Sequence, residues 1–549
     1  MKIQLQHNRQ NYPLNNRKNE NSKGTTSFKG FSAAMNFFAT NQGVGACCTD
    51  LGFMVFPRIR KDASRGCDAA VETGIREGSG TTNHALIGVY GMGAGALLGT
   101  ALAKNYDVEA KNIFTAPARI DELAKHWSEH LRNNTSERDF LTKIVNEISG
   151  YNTAKNLETG FVGIQDEHTK KIIDLFEKGV AEIEPDKWKK SNERGILKAL
   201  IIEATGAESK LKIGNSSTSN VETLVDDIVN MTRTFKKEKV LEAFNEAIQG
   251  GENKFLKSLS KFNKGRALAG FVIASGIGMA VQPFNVWLTK KRTGRDDFVG
   301  SSDGGGKDTS LKFKLEKLAT GAAMIGMALC ALNCKPKDFL NKMAFQGHFP
   351  TLDQLKGVYG LTIAGRVAAA RSEDELWESA RKDIIGYLSW LVLGDFVNRG
   401  SAAFIDSSLI NYNKVHDKNK ITGGVLKSRS EVLREALASV GISTIKKDAN
   451  GVEKAMNLSE MIKTLKENPR AASILKPTNK KLLALNFAQV MGYAFTGIVL
   501  GYGIPTMNIY MTHRAERKRR EKALELNQIN QVQLAKANEN KEQQVKVVA

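Results

Sequence analysis

The sequence predicts an all-α fold: a multipass helical membrane protein with about five to seven spanning or re-entrant helices and two water-exposed, mainly helical inserts. Three observations carry this. Ala85–Ala103 is 19 residues without a charge between His84 and Lys104, and Ala267–Thr289 is 23 residues closed by Lys290, Lys291 and Arg292. At ~1.5 Å rise per residue both approach the ~30 Å hydrocarbon core. Second, Gly91, Gly95 and Gly99 recur every fourth residue, as do Gly270, Ala274 and Gly278, so each set lies along one helix stripe. Each interior glycine costs a helix in water ~1 kcal/mol relative to alanine. In lipid, unpaired backbone costs more, so the helix is enforced and the stripe admits a neighbouring backbone. Third, a mean hydropathy of −0.31 is low for a chain that is nearly all membrane. The spans must alternate with large polar regions.

The elements follow in order. Residues 1–30 are rich in Asn, Gln and Lys with almost no apolar content, which predicts disorder and no cleaved signal peptide. Residues 31–104 form a membrane module. Ser32–Thr49 is apolar but carries Asn36, Asn41 and Gln42 and is followed by Asp50. Pro57–Gly80 reads as a charged helix, Pro57 suiting its first turn and Gly78 and Gly80 its end. Ala63, Gly66, Cys67, Ala70, Gly74 and Gly78 make a small-residue side, which predicts close docking there, the charges being left at an aqueous surface. Arg65 and Asp68, and Glu72 and Arg76, are spaced to pair along it. The glycine-striped helix occupies 84–104.

Residues 105–262 show repeated three-and-four apolar spacing with charge between, starts at Pro117 and Pro185 and stops at Gly150, Gly206 and Gly250. They predict a water-exposed helical domain. The membrane block 263–410 contains Ala267–Thr289, Leu318–Cys334, the short run Gly357–Gly365 and Ile384–Gly394. The last gives only ~17 Å of helix and spans only by continuing through Asp395, Asn398 and Arg399 to Ile405. Residues 411–480 are a small polar helical insert around a turn-like stretch at Lys446–Gly451. Residues 481–513 hold the final membrane helix. Leu482–Thr512 would reach ~46 Å as one helix, so it tilts or breaks near Pro505. The tail 514–549 opens with six basic residues from Arg514 to Lys522.

One internal echo stands out. Ala267–Arg292 and Thr496–Arg514 each place an asparagine, Asn285 or Asn508, four residues before a threonine, Thr289 or Thr512, after a glycine-rich run and before basic residues. Duplicated membrane halves leave such traces.

The net charge of +21, from 79 basic and 58 acidic residues, fits nucleic acid or an anionic lipid surface. No zinc-finger spacing, RNP-like aromatic run or helix-turn-helix cue is present, so the expected partners are the bilayer and anionic headgroups near the basic tail, with protein partners or a homo-oligomer in addition. The five cysteines form no C-x-x-C pair and read as reduced thiols. Basic loops stay cytoplasmic. That rule places 290–317 and the C-terminus in the cytoplasm of an integral membrane protein (the cytoplasmic membrane, for a bacterial chain), and residues 107–262 on the far side.

Three segments invite chemistry. His126-Trp-Ser-Glu129-His130 fits H-x-x-E-H, and over these five residues alone it resembles the inverted zinc peptidases. That resemblance implies a metal held by His126 and His130 with Glu129 activating water. Asp303–Lys307 looks like a phosphate loop but has Ser301 where the first glycine belongs and Asp308 where Ser or Thr should bind magnesium, so it reads as a hydrophilic loop. Asp50, Asp395, Asn398 and Arg399 are the membrane-embedded polar candidates, each expensive in lipid unless paired or hydrated. Gly91, Gly95, Gly99, Gly270 and Gly278 are the helix-packing candidates. No cofactor is expected and no metal is assigned. The sequence favours a non-enzymatic membrane scaffold or assembly protein holding partners through its inserts. Its rivals are a transporter or channel using Asp50, Asp395 and Arg399, and a zinc-dependent hydrolase at 126–130.

Overall fold

The computed structural model describes residues 42–151, 166–295, 307–333, 338–411, 425–448 and 451–548, together with Met35, Phe38 and Lys335. The polar N-terminus, most of 31–41 and the glycines 304–306 lie outside these. The fold is all-helical apart from two short antiparallel strand pairs.

Helix α1 (Gln42–Thr49) passes through a π-helical turn, Asp50–Val55, into α2 (Phe56–Asp62). A 3-10 turn and Gly66, at φ 123°, then lead into α3 (Cys67–Leu98). This corrects the expected boundaries. The stretch 57–80 is not one helix: it breaks at Gly66, whose backbone a side chain would strain, and its second part runs on into the glycine-striped segment. That segment bends by 45° at Gly99 into α4 (Thr100–Tyr106).

The first insert holds α5 (Pro117–Arg132), α6 (Glu137–Asn146), α7 (Asp166–Ala181), α8 (Pro185–Trp188), α9 (Asn192–Thr205), α10 (Val221–Phe235) and α11 (Glu238–Ile248). Prolines at the first turns of α5 and α8, and a Ser136–Asp139 capping box on α6, satisfy their helix starts. It has its own apolar core, with Leu123, Ile144, Phe176, Leu197, Ile228 and Phe244 fully buried.

The long helix α12 (Lys254–Thr293) follows, then α13 (Leu311–Leu332), α14 (Phe339–Lys342), α15 (Leu352–Ala369) and α16 (Glu373–Leu388). A π-helical turn at Ser389–Leu393 joins α16 to α17 (Gly394–Ile405), so the helix does continue through Asp395 and Arg399. The second insert pairs β1 (Ile410–Asn411) with β2 (Val425–Leu426), carries α18 (Arg429–Ser439), pairs β3 (Ile445–Lys447) with β4 (Glu453–Ala455), and ends in α19 (Leu458–Glu467). The turn-like stretch at 446–451 thus belongs to a hairpin, a strand element the sequence reading did not foresee. Finally α20 (Ala472–Thr496) continues through a π-helical turn at Gly497–Gly503 into α21 (Ile504–Val548). The irregular turn lies immediately before Pro505, whose ring excludes a regular hydrogen bond to the preceding turn.

Three helical stretches are long and apolar enough to cross a membrane: α12, α13 and the stretch from 469 to 535. The bent pair α3–α4 makes up to four. The distribution of side chains is inverted relative to a water-soluble protein. On α12, Val272, Ile273, Phe284 and Trp287 face outward, as do Leu318 on α13 and Ile498 and Tyr502 beside α20. Glu72, Arg76 and Glu77 of α3, and Glu375, Lys382 and Asp383 of α16, face inward. This overturns the expected orientation of the charged helix. Ala63, Gly66 and Cys67 are exposed, and a methyl on Gly78 would meet nothing within 4 Å, so the small-residue side is not the docking face. Large apolar side chains turn outward, and the charges turn inward to find each other.

Candidate functional site: a charged seam between repeated halves

The inward charges follow one repeated pattern. Glu72, Arg76, Glu77 and Gly80 on α3 have the same spacing as Glu378, Lys382, Asp383 and Gly386 on α16, and Arg65 stands before the first set as Arg371 stands before the second. Their contacts are reciprocal. Arg65 donates to both oxygens of Glu378, at 2.7 and 2.9 Å; Arg371 donates to Glu72 at 2.7 Å. Arg58 on α2 lies against Gly386, where a methyl would come 3.4 Å from its Nη2, and Arg366 on α15 lies against Gly80, where the distance would be 3.1 Å.

The echo between Asn285 and Asn508 falls on the same symmetry. Asn285 of α12 donates to the Glu72 carbonyl at 3.1 Å, and Asn508 of α21 donates to the Glu378 carbonyl at 3.0 Å. At the rim, Arg292 pairs with Asp68 at 2.7 Å, and Arg519 pairs with Asp374. Thus α2, α3 and α12 recur as α15, α16–α17 and α20–α21. The charged ends of both sets lie together, and the two inserts follow the opposite ends.

At the centre of the seam one carboxylate serves four cations. Glu77 is 2.9 Å from Lys382, 3.3 Å from Arg76 and from Arg366, and 3.4 Å from Arg58. Asp383 takes a second bond from Arg366 at 3.0 Å. Arg58 is 1% exposed, and none of its three guanidinium nitrogens has a hydrogen-bond partner among the described residues. The Tyr359 and Tyr387 hydroxyls and one Asp383 oxygen are also buried without one among those residues. Buried cations and carboxylates are thus interleaved along the seam, and Arg58 meets its nearest carboxylate only at 3.4 Å; such groups are expensive to bury unless they are paired or serve a function.

The sequence candidates fall in three places. Asp50 joins the seam: it is buried, accepts from the Thr81 hydroxyl at 2.6 Å and lies 3.9 Å from His84. Asp395 and Arg399 pair at 2.9 Å, but the Asp395 side chain is 67% exposed and outside the seam, while Asn398 packs beside Gly492. Gly91 and Gly270 face one another across the Phe345 ring, which leaves no room for a side chain at Gly91 and would lie 2.6 Å from one at Gly270. Gly278 packs on the Thr362 hydroxyl, Gly95 on Arg266, and Gly99 forms the bend. Arg266, buried between the Phe114 and Phe262 rings at 5.0 Å each, is an embedded cation that sequence reading passed over.

His126 and His130 do not converge. His130 Nδ1 lies 3.1 Å from the Thr135 hydroxyl and its ring against Trp127, whereas His126 is buried with Nε2 turned to Glu147, 2.8 Å away. Glu129 pairs with Lys143. The two-imidazole arrangement of H-x-x-E-H is therefore not formed.

Arg58, Arg366, Glu77 and Asp383 were missed because each was read within its own segment. The signal was present as the twice-used spacing E-x-x-x-[RK]-[ED]-x-x-G. Fold and site together define a helical bundle with a charged interior seam, in which one residue spacing and its contacts occur twice. No protein-family model, curated protein or solved structure matches the chain.

Proposed function

We propose that the chain is an integral membrane transport protein, a channel or carrier that admits a small anion between its two repeated halves. The observation that carries this is Arg58, fully buried and without a hydrogen-bond partner among the described residues, its nearest carboxylate, Glu77, lying 3.4 Å away. A small anion would supply the missing acceptor. Parallel repeats about an axis along the membrane normal commonly place a substrate site at their interface. In this reading seven helices cross: α1–α2, α3, α12, α13, α15, α16–α17 and α20–α21. The loop 290–317 and the basic tail face the cytoplasm, and both inserts face the far side. The full chain in vesicles of neutral lipid tests it by efflux of chloride, nitrate, phosphate or acetate. Flux of at least one of these, lost in Arg58→Gln, supports the reading; no flux of any, and no anion-dependent rise in thermal stability, contradicts it.

A scaffold remains the second reading because the inserts dock on each other. Lys171 pairs with Glu453 at 2.6 Å, Glu208 accepts from Ser428 at 2.5 Å, and Thr444 donates to Glu203. They enclose a cavity of about 210 Å³ lined by Glu203, Glu431, Arg434 and Glu435. Such a joined body offers a rigid surface to a partner. Specific recovery of one protein with the intact chain, lost when residues 107–253 are replaced by a short linker, would favour this reading.

A further inference from the structure

We propose that the first insert holds a divalent transition-metal ion on Glu122, His126 and Glu147, a site independent of the membrane seam. The three ligand atoms lie within 4.8 Å of one another. Glu122 and His126 are one turn apart on α5, so both side chains leave the same helix face. Glu147 caps the C-terminus of α6. The third wall is the loop between α9 and α10. Ile213 pairs with Ile148, Ser149 donates to the Lys212 carbonyl at 2.8 Å, and Gly214 donates to the Glu147 carbonyl at 3.2 Å.

Gly214, at φ 50°, brings its backbone so close that a methyl would lie 3.1 Å from one oxygen of each glutamate. The Asn215 amide, at 3.3 Å, holds the other oxygen of Glu122. The loop therefore holds the Glu122 carboxylate directly and Glu147 through its backbone carbonyl.

Three features point to a cation. Neither glutamate forms an ion pair with a lysine or arginine among the described residues; the nearby Lys143 is taken by Glu129. Two carboxylates in such proximity repel unless a cation or proton lies between them. The imidazole of His126 is 2% exposed and aimed at them, with Nε2 at 2.8 Å from Glu147 and 3.9 Å from Glu122. On its other side Nδ1 has no hydrogen-bond partner among the described residues but lies 3.6 Å from Glu129. A carboxylate behind a ligating histidine orients the ring and fixes its tautomer with Nε2 free for the metal. One imidazole and two carboxylates, partly open to water, suit zinc and its first-row neighbours.

The test uses the full chain without a histidine tag, in mild detergent, stripped with a chelator, desalted and titrated with zinc. One zinc per chain is expected, with binding weakened at least ~10-fold in Glu147→Gln and in Glu122→Gln and abolished in His126→Gln. His130→Gln should bind as the natural chain does. Glu147 is a third exposed, so its variant is the one expected to keep its fold, as checked by circular dichroism and gel filtration. A natural chain that retains no zinc would mean that His126 is an imidazolium between two glutamates, and would overturn the proposal. So would a folded Glu147→Gln chain that binds zinc unchanged, or an equal loss in His130→Gln.

Discussion

Removing the carboxylate of Glu378 should be among the most damaging single changes in the seam, and its cost can be worked out from the geometry. Arg65 has Glu378 as its bidentate partner, at 2.7 and 2.9 Å, with Asp62 only at 3.6 Å. Both side chains are nearly buried, at 6% and 10% exposed. Glu378→Gln takes both charged hydrogen bonds from a nearly buried guanidinium and leaves it the more distant Asp62, at a cost of about 3–5 kcal/mol. The repeat-related change Glu72→Gln should cost less. Arg371 keeps Glu375 through two contacts of 2.9 Å, so one charged hydrogen bond is lost, about 1.5–3 kcal/mol. The double change Arg65→Leu/Glu378→Leu removes both charges. It leaves chiefly the Thr512 hydroxyl unmet, about 1 kcal/mol, since apolar replacement of a buried pair is often neutral. Unfolding by denaturing detergent in mixed micelles, followed by tryptophan fluorescence, should rank Glu378→Gln worst, Glu72→Gln next and the double variant mildest. A Glu378→Gln chain within about 0.5 kcal/mol of the natural one, as for a surface position, would refute the reciprocal network.

Other expectations follow from the same packing. Gly278→Val should clash with Thr362 and Asn83 and lower stability by about 1–3 kcal/mol or more, whereas Gly78→Ala, with nothing within 4 Å, should be neutral or stabilising; equal effects would mean that α3 and α12 pack on other faces. The chain should stay with membranes in high salt and alkaline carbonate and leave only with detergent; release without detergent would contradict the outward apolar belt of α12 and α20. Burial against Trp127 holds the His130 imidazole below its ordinary range. The unfolded state then takes up the proton first as pH falls through ~6.5, so stability contributed at neutral pH should be lost on acidification. His130→Gln should lose that component when melting is compared between pH 8 and 5, and an identical pH dependence in both proteins would exclude it.

Much of the architecture was legible because long uncharged runs leave a coarse signature. Uncharged runs ended by lysine and arginine located α12 and α13, and three-and-four periodicity found the helices of the first insert. Asn285 and Asn508, an echo in the sequence, make matching bonds to the Glu72 and Glu378 carbonyls. The seam was hidden because composition does not say which way a charge faces. A stretch carrying Arg65, Glu72, Arg76 and Glu77 reads as solvated, whereas in the fold Glu72, Arg76 and Glu77 turn inward and are buried. Spacing suggested that Glu72 would pair with Arg76 on its own helix, whereas its partner is Arg371, nearly three hundred residues away. Sequence proximity likewise joined His126 to His130, while the fold gives His126 to Glu147. The break at Gly66 was readable in principle as a glycine punctuating a helical pattern, but Gly74 and Gly78 look the same in sequence and lie within regular helix.

If the two halves are parallel, their charged ends share one side of the membrane and their inserts share the other. Single-cysteine variants of an otherwise cysteine-free chain in sealed, oriented vesicles test this directly, with an impermeant maleimide applied from outside. The positions are Cys67 at the start of α3, Lys522 in the tail, Lys212 in the first insert and Lys463 in the second. Cys67 and the cysteine at 522 should label together, and those at 212 and 463 should label together from the opposite side. Labelling of 212 and 463 from opposite sides, or of 67 and 522 from opposite sides, would contradict the parallel repeat and the transport reading built on it.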